Sequence, residues 1–371
     1  VRPDDLAARV ITDLLERNPG LREAPIDDVA FGAANQSGED NRNVARMALL
    51  LAGLPVSVPG TTLNRLCGSS LDALLYGFRS IALGESDTMI VGGVESMSRA
   101  PFVMAKPEAA FPRALDLVDT TLGWRLVNEK MPREWTISMG ETAEEVAKRC
   151  NISRHAQDEF SLVSHERAVA AIDGGLFSDE ITGVSTKSGD VLVDEGPRRD
   201  TTLKSLASLR PVFRTGGSVT AGNSSTLNDG ACALVLASEE RASELGITPI
   251  ARICGGSVAG VSPEVMGLGP VPATNRLLGR LELDLGSISA IELNEAFAAQ
   301  SLGVLGELGL RSDDVRVNAR GGAIALGHPL GASGARITTT LIHRLRSEGG
   351  GLGLATMCVG VGQGIALVVE V

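Results

Sequence analysis

Val56-Ser-Val-Pro-Gly-Thr-Thr-Leu-Asn-Arg-Leu-Cys67-Gly-Ser-Ser, residues 56–70, is the stretch on which the architecture turns. Residues 56–63 are strand-like and lead straight into Cys67. Leu71, Leu74, Leu75, Phe78, Ile81 and Ala82 then recur at helical spacing and predict a helix. Thr88-Met-Ile-Val-Gly-Gly-Val-Glu follows as a strand with glycines near its end. The same order returns near the other end of the chain. Val315-Arg-Val-Asn predicts a strand, a glycine-rich loop carries His328, and Ile337, Leu341 and Leu345 mark a helix face. Leu352–Met357 and Gly364–Val371 read as strands around Cys358-Val-Gly-Val-Gly. Each segment puts a reactive residue where a strand meets a helix. The pattern predicts an α/β protein of two similar halves, with sheets covered on both faces.

Outward from these segments, Leu6, Val10, Ile11, Leu14 and Leu15 predict a helix over 5–16, capped by Asp4 or Asp5. Residues 29–32 predict a buried strand, 43–54 a helix and 231–237 a strand. Pro, charged residues and both tryptophans cluster between about residues 100 and 215. This reads as an inserted helical and loop region, with helices over 141–150 and 154–172. The expected organisation is 1–99 with 216–245 as the N-terminal half, 100–215 as the insert and 246–371 as the C-terminal half.

Composition narrows the function classes. The net charge of −11 and the lack of a basic patch argue against nucleic acid and anionic membranes as partners. No apolar run is long enough for a membrane helix. The five cysteines form no CxxC pair, so neither a zinc knuckle nor a redox dithiol is expected, and free thiols in a reducing compartment fit best. Gly360-Val-Gly-Gln-Gly lacks the spacing of a dinucleotide loop.

Four segments can carry chemistry. Cys67 stands at a helix start, where free N–H groups and the helix dipole favour a thiolate. The alternative is a buried structural cysteine. Of the four histidines, His328 alone sits in a glycine-dense loop; His155 and His165 are expected to face solvent. Cys358 precedes a glycine turn whose N–H groups could form an oxyanion hole. Asn294 follows the apolar run Ile288–Leu293 and fits a helix N-cap.

Together these segments resemble the thiolase family. Asn64-Arg-Leu-Cys-Gly-Ser looks like its nucleophile motif and Asn294-Glu-Ala-Phe like its oxyanion motif. Gly-Gly-Ala-Ile-Ala-Leu-Gly-His328-Pro and Cys358-Val-Gly-Val-Gly-Gln-Gly look like its C-terminal signatures. The resemblance implies a layered αβαβα thiolase fold and reversible cleavage of 3-ketoacyl-CoA by CoA. It makes Cys67 the acylated nucleophile, His328 its base and Cys358 the acid that protonates the departing carbon. Asn294, with His328, and Gly360, with Cys67, would serve the two oxyanion holes. It also implies that Arg198, Ser205, Phe213, Ala221 and Ser225 line CoA, and that Met139 and Phe297 line the thioester pocket. CoA would be a substrate, with no metal or redox cofactor, in a cytoplasmic homo-oligomer, a dimer or tetramer.

Two departures bear on this. Family members begin with a strand before the first helix, so the native start is expected to precede Val1. Short-chain biosynthetic members carry His where Ser138 stands. Ser98-Arg-Ala-Pro-Phe-Val-Met and Asp119-Thr-Thr-Leu-Gly-Trp-Arg resemble thiolases of 3-oxoadipyl-CoA, whose carboxylate would need a cation such as Arg113, Arg125 or Arg133. An acetoacetyl-CoA-forming acetyl-CoA acetyltransferase is the alternative within the family. A decarboxylating condensing enzyme shares the fold but has no second reactive cysteine. A non-catalytic lipid- or CoA-binding relative would be expected to lose Cys67, His328 or Cys358.

Overall fold

Alternation along the central strands sorts their side chains into layers. Val29 and Phe31 pack on one side of the first sheet and Ala30 on the other. The computed structural model describes residues 1–21 and 24–371. In chain order its strands are β1 (Asp28–Gly32), β2 (Gly60–Leu63), β3 (Thr88–Ser96), β4 (Phe102–Val103), β5 (Val118–Asp119), β6 (Val184–Thr186), β7 (Gly189–Val191), β8 (Asp229–Ala237), β9 (Arg252–Gly260), β10 (Ile288–Leu293), β11 (Leu352–Val359) and β12 (Gln363–Glu370). Its α-helices are α1 (Pro3–Arg17), α2 (Val44–Leu51), α3 (Ser69–Ala82), α4 (Met139–Arg149), α5 (Arg154–Asp173), α6 (Leu203–Ala207), α7 (Glu239–Glu244), α8 (Pro270–Leu281), α9 (Ala298–Glu307), α10 (Ala323–Leu326) and α11 (Ser333–Glu348).

Two four-stranded sheets form the frame, in the orders β2-β1-β3-β8 and β10-β11-β12-β9. In the first, β1 is parallel to β2 and β3, and β8 is antiparallel to β3. In the second, β10 and β11 are parallel and β12 runs against both of its neighbours. Leu71, Leu74 and Leu75 of α3 and Ile337, Leu341 and Leu345 of α11 fill the space between the sheets. α1 and α2 cover the outer face of the first sheet, and α8 and α9 that of the second. The result is helix, sheet, helix, sheet, helix. Burying a Leu or Ile side chain contributes roughly 1.5–3 kcal/mol, so the shared central layer binds the halves into one body. α3 and α11 approach closely because Gly334 faces Leu71: a Cβ there would lie 2.4 Å from the Leu71 nitrogen. The segment 100–215 connects β3 towards β8 and holds α4, α5, α6 and two short hairpins.

Three local expectations are corrected. Residues 315–318 form no strand; Val317 makes a single parallel bridge to Ile291. Asn318 has φ +45° and spends its side chain on Leu293, accepting from its N–H at 2.9 Å and donating to its carbonyl at 2.8 Å. That ends the pairing. Neither Asp4 nor Asp5 caps α1: Pro3 starts the helix, Arg2 is the cap residue, and Asp4 pairs with Arg2 at 2.8 Å. His165 is buried rather than solvated, with Nδ1 accepting the Arg198 N–H at 3.1 Å.

Candidate active site

The Cys67 loop is shaped by its own side chains. Asn64 accepts the Leu66 N–H at 2.9 Å and donates to the Ala34 carbonyl at 2.9 Å. Ser69 accepts the Arg65 N–H and donates to the Leu66 carbonyl. These bonds hold Leu66 at φ +48°, a left-handed conformation that leucine rarely adopts. Cys67 follows, one residue before the N-cap Gly68 of α3. The Gly360 N–H and the N–H of Cys67 itself are directed at its sulfur and lower its pKa, but burial outweighs them and pushes the thiol up to about 11.

His328 belongs to a loop fixed from several sides. Its N–H donates to Asn228 Oδ1 at 3.1 Å. Gly327 before it has φ +98°, and the Asn228 amide fills the space a Cβ would need. Ser333 Oγ lies 2.6 Å from His328 Nδ1 and donates to the Pro329 carbonyl at 2.9 Å. With the Ser333 proton on the Pro329 carbonyl, Nδ1–H donates to Ser333, the tautomer in which Nε2 can accept from Asn294 Nδ2. That leaves Nε2 unprotonated and facing Asn294 Nδ2 at 3.4 Å. Burial, then the Arg336 charge, lowers His328 to about 3, so the imidazole is neutral at neutral pH.

Asn294 does not cap a helix, because α9 begins at Ala298 with Phe297 as cap residue. The segment between is held flat: Asn294 N–H donates to Thr356 of β11, and Ser225 N–H to Ala296. Asn294 Oδ1 is buried with no partner among the described residues. Cys358 is the next-to-last residue of β11, fully buried, and its thiol is pushed up by burial and by the nearby Cys67. It packs with Met139, Ala143, Val219, Met266, Ala296 and Phe297 in one apolar cluster. The Cys67 and His328 loops meet through their helix starts, where Ala335 N–H donates to Ser70 Oγ at 2.9 Å.

Two buried carboxylates brace these loops, and the sequence reading did not single them out. Glu95 accepts the N–H groups of Ala34, Asn35 and Gly331 at 2.8–3.0 Å, tying the His328 loop to the N-terminal half. Burial still raises Glu95 to about 7. Glu295 accepts from Ser164, Asn318 and Ile324, and burial raises it too. Ser333 was also missed. Its signal is its place in the His328 motif, five residues on, with a hydroxyl as the partner an imidazole needs.

The residues expected along CoA are dispersed over the rim. Arg198, Ser205 and Ala221 are exposed, and Ser225 is half-buried. Ser205 caps α6 together with Thr202. Phe213 is 38% exposed and meets Phe297 edge-on, with ring centroids 6.1 Å apart. Glu144 accepts the Ser218 and Val219 N–H groups at 2.8 Å and so fixes the loop that carries Ala221 and Ser225. Ser138 caps α4, accepting the Glu141 N–H at 3.3 Å. Among the described residues no group of His, Cys, Asp and Glu is placed to hold a metal, and no helix is long and apolar enough to cross a membrane.

Comparison with known proteins gives the family. The family model for the thiolase N-terminal domain matches residues 1–240, and that for the thiolase C-terminal domain matches residues 247–371. A beta-ketoadipyl-CoA thiolase of Pseudomonas aeruginosa is 56% identical, over 100% of this chain and 94% of its own. A 3-oxoadipyl-CoA/3-oxo-5,6-dehydrosuberyl-CoA thiolase of Escherichia coli is also 56% identical, with the same coverage of 100% and 94%. The crystal structure of the Bacillus anthracis acetyl-CoA acetyltransferase superposes with a TM-score of 0.92 at 41% identity, covering 100% of this chain and 93% of that one. The chain belongs to the thiolase family and is an acyltransferase with the thiolase fold.

Proposed function

We propose that this thiolase cleaves 3-oxoadipyl-CoA with CoA to give succinyl-CoA and acetyl-CoA. The observation that carries this reading is the 56% identity, over the whole chain, to relatives named for that substrate. Cys67 attacks the 3-keto carbon while its proton passes to His328. A thiol near 11 and an imidazole near 3 keep that proton on sulfur at rest, so transfer accompanies C–S bond formation. The bond between C2 and C3 then breaks, and Cys358 gives its proton to the acetyl-CoA carbanion. His328 returns its proton to the Cys358 thiolate, takes the CoA thiol proton as CoA takes the succinyl group, and gives that proton to the departing Cys67 thiolate.

The orphaned Asn294 Oδ1, buried beside His328 Nε2, supports a bound water there that completes one oxyanion site with the imidazole. The Gly360 N–H directed at Cys67 supports the other. In the same proposal Arg198, Ser205, Phe213, Ala221 and Ser225 contact CoA, and Met139 and Phe297 line the thioester pocket beside Cys358. CoA is a substrate, and every step uses protein groups and the CoA thiol alone. The proposal extends to a homo-oligomer, dimer or tetramer, in the cytoplasm, with 1–99 and 216–245 as one half, 100–215 inserted and 246–371 as the other half. An acetoacetyl-CoA-forming role is the second reading, favoured by the 41% identical acetyl-CoA acetyltransferase structure.

Steady-state cleavage of 3-oxoadipyl-CoA, 3-oxohexanoyl-CoA and acetoacetyl-CoA tests the substrate. The reading expects the highest kcat/KM for 3-oxoadipyl-CoA. Faster cleavage of acetoacetyl-CoA would move the chain to the second reading.

A further inference from the structure

We infer that Arg125 recognises the far carboxylate of the acyl chain and so sets substrate preference; this rests on the proposed function above. A dicarboxylic acyl-CoA brings a negative charge to the wall of the thioester pocket, and the wall must offer a cation. Trp124 forms part of that wall. A Cβ added to Gly360 would lie 2.9 Å from the Trp124 ring and 3.1 Å from Leu66, beside the nucleophile. Trp124 is fixed by its Nε1–H, which donates to the Ile137 carbonyl at 3.2 Å.

Arg125 is the next residue and is half-buried. Its Nη2 donates to Ser37 Oγ at 3.1 Å and more weakly to Asn35 Oδ1 at 3.4 Å. Both partners are neutral. Glu39 in the same loop is engaged by Arg2 and Arg99. Among the described residues no carboxylate pairs with Arg125, so its charge is uncompensated. Its seat is rigid. Asn35 Nδ2 is spent on Thr120 at 2.8 Å, which turns Oδ1 toward Arg125, and Glu95 holds the Asn35 N–H at 3.0 Å. The same Glu95 holds Gly331 of the His328 loop at 2.8 Å. The guanidinium is thus positioned on the framework that positions the base. Arg113 and Arg133 are both exposed and have no such seat.

The test is the ratio of kcat/KM for 3-oxoadipyl-CoA to that for 3-oxohexanoyl-CoA, which matches it in length but ends in a methyl group. In Arg125→Gln this ratio is expected to fall about 10- to 100-fold, the range for a lost charge-assisted hydrogen bond. Ser37→Asp changes an exposed residue and gives Arg125 a carboxylate in place; the ratio is expected to fall there as well. A ratio within threefold of wild type in both variants overturns the inference, and so does an equal loss on both substrates. A wild-type enzyme that prefers 3-oxohexanoyl-CoA would instead overturn the substrate assignment, and Arg125 with it.

Discussion

The two halves offer chemistry at matching places and equip them differently. Cys67 follows β2 and precedes α3; His328 follows the Val317 bridge and precedes α11. The next-to-last residue of β3 is Glu95, and that of β11 is Cys358. One half thus supplies a thiol and a bracing carboxylate, the other an imidazole and a second thiol. The lesson is that topology fixes where a reactive group stands, and local partners fix its protonation. Asn64 and Ser69 hold the Arg65–Leu66 backbone before Cys67 and do not touch its thiol. Ser333 binds the His328 ring itself and so orients it.

The comparison breaks first at the two cysteines. Cys67→Ala is expected to lower thiolysis by at least about 10³-fold, since the covalent route is lost. Cys358→Ala is expected to lower it by about 10²–10⁴-fold as a lost proton donor, yet still form an acyl-enzyme from succinyl-CoA. If both variants fail to acylate, the division of labour between the thiols is wrong. Next comes Glu95→Gln. An amide puts a donor against N–H groups, so chemical denaturation should show a loss of about 1–3 kcal/mol. No loss would mean that Glu95 does not join the halves.

Ser333→Ala should lower kcat about three- to tenfold, the value of one neutral hydrogen bond that orients the ring. An unchanged kcat would refute the tautomer argument. The smallest effect is on pH. With His328 held near 3, acyl-enzyme formation should change less than twofold from pH 8 to 5, whereas a base of ordinary pKa would lose about 30-fold. The same shift acts on stability. The unfolded chain takes up a proton that the folded imidazole refuses, so stability should fall as pH drops from about 6.5 towards 3.

The helices and the order of strand, loop and helix were legible because apolar spacing records which face is buried. The family was legible because Cys67, Asn294, His328 and Cys358 each sit in a distinct local motif. What was hidden depends on residues distant in the chain. Val315-Arg-Val317 alternates like a strand, but Asn318 turns its side chain onto Leu293 and stops the ladder. Asn294 has the right type for a cap, yet its backbone is drawn to Thr356 and the helix starts later. His165 lies in polar sequence, but Arg198 covers it from another segment. The burial that pushes the Cys67 thiol up comes from distant segments and leaves no local signal.

The central claim is that C–C cleavage passes through an acyl group on Cys67. The most direct measurement is peptide mass spectrometry on wild-type enzyme mixed with 3-oxoadipyl-CoA without free CoA and quenched in acid. A succinyl group on the peptide containing Cys67, formed together with acetyl-CoA, is the predicted result. Acetyl-CoA release with the succinyl group on Cys358, or on no cysteine, would contradict it.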